Sequence, residues 1–321
     1  MSKIRVTKSA VVKNVSARRK ASGKLWIMAV DPFTEFDLKA LKSFTYPLAE
    51  KAGAQVQATY VLAPASLNWS GDFNPPWMKK YVPVSEASLA DALQGDPVTW
   101  KVVTCKESGQ RASVNALLSH AKKAKAECIV LSTHARKGLE RWALGSFAET
   151  LMLASKIPLI VVNPSYSVPS AIQKILVPTD LSKRSEKFVL SLTRFAKSVG
   201  AEMILYYKQP DPLDPIVQQG VYALGGGWVS VQSYMDEELS AKTKQLQKLE
   251  SVISSKGVPV RHIVETSPTA LVESINKAAT DHGCDLTAVL THAGALTAAL
   301  LGSVARGLVR HSPVPVFVQR E

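Results

Sequence analysis

At 321 residues the chain exceeds one small domain and suits two of about 150 residues each. With 46% hydrophobic and 20% charged residues it has the composition of an ordinary globular protein, which excludes wholesale disorder. The formal net charge of +13 is uneven: Lys3, Arg5, Lys8, Lys13, Arg18, Arg19, Lys20 and Lys24 stand in an N-terminal arm, residues 1–24, without one Asp or Glu, and these eight of the 39 basic residues leave 31 against 26 acidic ones. The arm suits an anionic surface, nucleic acid or an acidic protein, and as a solvated tail it needs none of them. It has no apolar run or small-residue cleavage pattern, which argues against secretion and for a cytoplasmic protein; its basic, acid-free makeup leaves a transit peptide open. The three cysteines, Cys105, Cys128 and Cys284, are far apart and form no CxxC pair, which argues against a zinc site or a disulfide framework. Cys128 and Cys284 lead into apolar runs and are expected to be buried thiols.

In chain order, an apolar run from Leu25 to Val30 ends at Asp31. A helical pattern from Phe36 to Lys51 follows, closed by Gly53, and then a second apolar run from Val56 to Ala63. Residues 64–97, with Pro64, Trp69, Pro75, Pro76, Trp77 and Pro83, read as a long irregular insertion. Val98 to Thr104 is a third strand, Ala112 to Ala126 a helix, and Cys128 opens a fourth strand. Thr133-His134-Ala135, a loop, Gly145-Ser146, an apolar helix and the strand from Pro158 to Val162 complete the half. Pro164 to Ser170, rich in Pro and Ser, reads as linker.

The order then repeats. Ile175 to Thr179 ends at Asp180; Ser185 to Ser198 is a helix closed by Gly200; Met203 to Tyr207 is a strand. Residues 209–233 are loop-like, with Gly225, Gly226 and Gly227 in a row, and Met235 to Ser255 is helical. Val258 to Glu265 is a strand and Pro268 to Thr280 a helix. Thr291-His292-Ala293 and Gly302-Ser303 then match Thr133-His134-Ala135 and Gly145-Ser146, ahead of the strand from Val314 to Val318. Leu286 to Ala305 has no Asp, Glu, Lys or Arg, but the repeat divides it into strand, loop and helix, against a membrane span. The reading is two tandem doubly wound open parallel-sheet α/β domains: a first over 25–164, a linker over 165–172 and a second over 173–321. Ligands on such sheets bind beyond the carboxyl ends of the strands, where strand order reverses.

These residues resemble the universal stress protein family, within the adenine-nucleotide α-hydrolase-like group. The family's hallmark is a strand, then G-x2-G-x9-G-[ST], then a helix. Ser132 to Ala135, nine residues and Gly145-Ser146 match that spacing. Leu290 to Ala293, eight residues and Gly302-Ser303 nearly do. In each half the first two glycines are replaced, by Ser132 and Ala135 and by Leu290 and Ala293. In ATP-binding members this loop holds the phosphates, while the Asp after strand one and a residue at the end of strand two contact the nucleoside. The resemblance therefore implies an adenine nucleotide, with any accompanying Mg, at Asp31, Val61, Ser132, Ala135, Gly145 and Ser146, and at Asp180, Leu290, Ala293, Gly302 and Ser303. Arg136, Lys137 and Arg141 in the first loop suit phosphate. It also implies that the two final strands pair the halves, with further dimerisation as an extension.

Each candidate has a plainer alternative. Gly145-Ser146 and Gly302-Ser303 also suit simple helix starts. Asp31 and Asp180 suit turn caps. His134 and His292 lack partners for metal or catalysis. Trp142 suits a base stack, or a place in the core or at an interface. The functional expectation is a non-catalytic stress-response protein that binds ATP, ADP or AMP and acts through a protein partner. The alternatives are a ligand-free scaffold, a weak ATPase, or nucleic-acid binding through residues 1–24.

Overall fold

The computed structural model describes residues 23–63, 75–133, 146–166, 168–211, 231–291 and 302–320. The first half runs β1 (Leu25–Ala29), α1 (Glu35–Ala52), β2 (Gln55–Leu62), α2 (Pro75–Ala92), β3 (Thr99–Thr104), α3 (Gln110–Lys123), β4 (Cys128–Ser132), α4 (Ser146–Ala154) and β5 (Leu159–Val162). The second runs β6 (Lys174–Pro178), α5 (Lys183–Val199), β7 (Glu202–Lys208), α6 (Val231–Ser254), β8 (Val260–Glu265), α7 (Leu271–Asp281), β9 (Leu286–Thr291), α8 (Ser303–His311) and β10 (Val316–Arg320). The ten strands form one sheet in the order β3-β2-β1-β4-β5-β10-β9-β6-β7-β8. Each half is a parallel doubly wound unit whose order reverses between β1 and β4, or between β6 and β9. The halves meet where β5 and β10 pair antiparallel, as the two final strands were expected to.

The repeat is legible in single hydrogen bonds. The Val30 N–H donates to the Thr59 carbonyl at 3.0 Å, and the Thr179 N–H to the Tyr206 carbonyl at 2.9 Å. The Ile129 N–H donates to Pro158 and the Thr287 N–H to Pro315, each at 3.0 Å. Helices α1 and α5 end alike, on Gly53 at φ 67° and Gly200 at φ 61°. A side chain resists that left-handed turn, and it lets Ala54 and Ala201 donate back to Ala49 and Ala196.

The central strands read as continuous apolar runs because helices cover both faces of the sheet. Side chains alternate between two cores. Trp26, Met28, Val130, Ile160 and Phe317 lie in one, with α1, α5 and α6. Ile27, Ile129, Leu159, Val161 and Val318 lie in the other, with α3, α4, α7 and α8. All three cysteines are free and buried. The segment joining the halves is docked onto this core: Ile172 has no exposed surface and Val168 packs against the same core.

The stretch 64–97 differs from the irregular insertion its prolines suggest, because it contains the 18-residue helix α2. Pro75 and Pro76 fall in the first turn, where a missing N–H costs nothing, and Pro83 is carried inside the helix. Leu89 and Leu93 anchor its end in the core, so tertiary packing overrides the local signal. The uncharged run from Leu286 is divided between β9 and α8, and no helix among the described residues is long and apolar enough to cross a membrane.

Candidate functional site

At the first mouth, the β1–β2 register pairs Ala29 with Thr59, which carries Asp31 level with Val61. The β1–β4 register pairs Met28 with Val130, which brings the same turn beside Ser132 and Thr133. Ser132 is buried at the carboxyl end of β4, and the Thr133 N–H donates to the Val162 carbonyl at 3.0 Å, fixing where the strand ends. Ser146 opens α4, and its hydroxyl donates to Gln110 Oε1 at 3.1 Å in the first turn of α3. Gly109 before that turn has φ 108° and ψ 153°, a backbone region closed to residues with a Cβ. Asp31, Val61 and Ser132 thus stand at the carboxyl ends of β1, β2 and β4, neighbouring strands of the sheet, and Ser146 opens α4 against the start of α3. Ala135, Arg136, Lys137, Gly145, His134, Arg141 and Trp142 lie outside the described residues, as do His292, Ala293, the glycines at 225–227 and residues 1–22 of the arm.

Asp31 is also a turn former. Its Oδ1 accepts the Phe33 N–H at 3.0 Å, and its carbonyl accepts the Thr34 hydroxyl at 3.1 Å. That turn sets Phe33 at the rim, 60% exposed, with its ring edge-on to Tyr60 at 6.0 Å between centroids. Sequence reasoning missed Phe33; its only signal was an aromatic residue two positions beyond the strand-one Asp. It missed Gln110 as well, because nothing local joins it to Ser146.

The second mouth has the same frame and different contents. Asp180 Oδ1 accepts the Ser182 N–H at 3.0 Å and the Ser185 hydroxyl, while Ser182 caps α5 by accepting the Ser185 N–H at 3.2 Å. Leu181 between them is buried at φ 58°, with its carbonyl held by the Gln245 amide at 2.8 Å. Counting from the paired strands, the place of Val61 is taken by Lys208, whose ammonium donates to the Ser267 carbonyl. Beside it, the Ser267 N–H and then the Ser267 side chain and Lys208 hold the Glu265 carboxyl below the usual carboxylate range. The place of Ser132 is taken by Leu290, packed against the core. Tyr207 is buried on β7, and burial, Glu238, Tyr234 and Asp180 push its phenol up to about 12. The Gln209 amide donates to the Met235 carbonyl at 3.0 Å, so α6 closes over this edge. Gly302 and Ser303 begin α8 with Gly302 at φ −51°; any residue could adopt that backbone, and a Cβ there would meet no atom within 4 Å.

A metal would need clustered donors, and the described residues contain no group of three His, Cys, Asp or Glu able to hold one.

A sequence model described as the universal stress protein family matches residues 27–163 and again residues 171–320. A universal stress protein from Archaeoglobus fulgidus DSM 4304 superposes with a TM-score of 0.65 at 16% identity, over 94% of this chain and 99% of that one. A functionally unknown protein from Pseudomonas aeruginosa PAO1 does so with a TM-score of 0.58 at 12% identity, over 92% of each chain. At such identities the likeness is one of fold. No curated protein matches the sequence.

Proposed function

The chain belongs to the universal stress protein family, and on that premise we propose that its first half binds an adenine nucleotide, with any accompanying Mg, while its second half serves as a scaffold. The observation that carries this reading is the contrast between the two mouths. The first presents short side chains, Ser132 and Val61, at the carboxyl ends of β4 and β2. The second sets Leu290 and a tethered Lys208 at the same two places.

In this reading the α4 N-terminus meets the phosphates with unpaired N–H groups, the positive end of its dipole and the Ser146 hydroxyl. Ala135, Arg136, Lys137 and Gly145 complete the phosphate loop. Asp31 and Val61 meet the nucleoside, and Phe33 offers its exposed face to the base. No catalytic step is assigned: occupancy of the site is the signal, read in a stress response by a protein partner in the cytoplasm, with homodimerisation as a further means of display. Asp180, Gly302 and Ser303 then keep their structural roles as turn and helix starts, which favours a ligand-free second half.

Calorimetry with ATP, ADP and AMP tests the proposal. Binding to the whole chain supports it, and no heat at millimolar ligand rejects it. Phosphate release from ATP above that of a Gly145→Arg variant would make the protein a weak ATPase instead.

A further inference from the structure

The join between the halves carries more information than a sheet extension requires. In the register of β5 against β10, Val316 faces Val161, Phe317 faces Ile160 and Val318 faces Leu159. Counted from their partners on β4 and β9, Ile160 and Phe317 hold the same place in the repeat. The local two-fold axis therefore runs between them, and each faces its own counterpart. The same holds one layer out. Helices α4 and α8 are both nine residues long, from Ser146 and from Ser303, so Glu149 and Arg306 are equivalent positions. They too face each other, with Arg306 Nη2 2.9 Å from Glu149 Oε1 and both side chains about 30% exposed.

A residue on a two-fold axis meets itself in a symmetric pair. Two first halves joined this way would set Glu149 against Glu149, and two second halves Arg306 against Arg306. The packing is divided in the same manner. Phe317 lies 5.1 Å from Phe195 and 6.5 Å from Phe188 between ring centroids. In the first half the corresponding places hold Ile160, Leu48 and Leu41, all buried aliphatics. Trp26 stacks on Phe195 across the join at 6.1 Å, where the second half supplies the smaller Ile175 in the place of Trp26. Two second halves would crowd six phenylalanines at the axis, and two first halves would leave them all out. Either change of volume is costly in a close-packed core.

We propose that these opposed pairs, Glu149 with Arg306 and Ile160 with Phe317, form a pairing code by which each half accepts the other half of the chain and rejects a second copy of itself. Its partner surface is the complementary half, and its effect is to disfavour pairing of two first halves, or of two second halves, from neighbouring chains.

The test uses the full chain. Glu149→Arg and Arg306→Glu each place like charges inside one molecule, and each is expected to melt about 2–4 °C lower than wild type. The charge-swapped double variant is expected to recover to within about a degree. Refolded together at equal concentration, the two single variants can satisfy both axis pairs only by exchanging halves. A tagged Glu149→Arg chain is then expected to capture untagged Arg306→Glu chain one-to-one, well beyond what tagged wild type captures of untagged wild type. Ile160→Phe with Phe317→Ile tests the packing arm by the same swap. The code is overturned if both double variants are only as stable as the summed single changes, or if co-refolding yields no mixed species.

Discussion

Val61 and Lys208 occupy the same place in the two halves, each two residues beyond the partner of the last residue of its half's first strand. Val61 is half-buried at the end of β2, while Lys208 reaches across its edge to the Ser267 carbonyl. If this difference decides which half takes a nucleotide, calorimetry returns one site per chain. Val61→Lys, which copies the second mouth into the first, weakens ATP binding tenfold or more, on the order of the 1.4 kcal/mol that a factor of ten represents. Lys208→Val leaves the affinity where it was. Two equal sites in wild type, or full affinity in Val61→Lys, refutes the assignment.

Phe33 offers a second readout of the same mouth. Its N–H is tied to Asp31, so the turn holds its place, yet its ring is 60% exposed. Base stacking on an aromatic ring contributes about 1–3 kcal/mol, so Phe33→Ala should weaken ATP by roughly 5- to 150-fold. Inorganic tripolyphosphate, which has no base, should bind wild type and variant alike. Equal losses for both ligands would mean that Phe33 supports the loop and does not read the base.

The repeat and the doubly wound character of each half were legible because they rest on long-range features written twice: Asp31 and Asp180, Gly53 and Gly200, Ser146 and Ser303; the pairing of final strands was implied by the family resemblance alone. Helix α2 was hidden because Pro83 masks a segment whose helicity depends on burial of Leu89 and Leu93, a tertiary cause. The contents of the second mouth were half legible. Leu290 breaks the loop pattern openly, but Lys208 looks like any strand-end lysine until Ser267 is brought to it by the β7–β8 pairing. The Glu149–Arg306 contact could not be read locally either, since neither residue is unusual until the axis sets them face to face.

Leu181 and Pro32 follow the two strand-one aspartates, and the turns they make differ. Leu181 sits at φ 58°, where a Cβ costs about 1 kcal/mol or more, and its side chain is buried. Proline holds φ near −65°, so Pro32 cannot make that turn. Among small replacements, Leu181→Gly should therefore be more stable than Leu181→Ala by about 1 kcal/mol, reversing the usual order of the two residues. Leu181→Pro should be the least stable, because it forbids the left-handed turn outright. Urea unfolding of the three variants ranks them, and an alanine variant as stable as the glycine one would contradict the left-handed assignment.

The protein should lose stability in alkali, and the sign follows from groups buried in their neutral forms. Burial, then Glu127, pushes the Cys128 thiol far above its ordinary 9.0. Burial is also the chief reason that Cys284 is pushed up to about 11 and Tyr206 to about 12. Burial, then Asp96, raises Tyr46, whose hydroxyl donates to Asp96 Oδ2 at 3.1 Å. Folded values above the unfolded ones mean that the unfolded chain gives up its protons first as pH rises. The stability these groups contribute is full below about pH 9 and is withdrawn from there to about pH 12, thiols first and phenols after. Urea midpoints should be level from about pH 7 to 8.5 and then fall, and Cys284→Ala should make the early part of that fall shallower. A midpoint unchanged between about pH 8 and 10.5 would mean that these thiols and phenols ionise inside the folded protein without penalty, which their burial forbids.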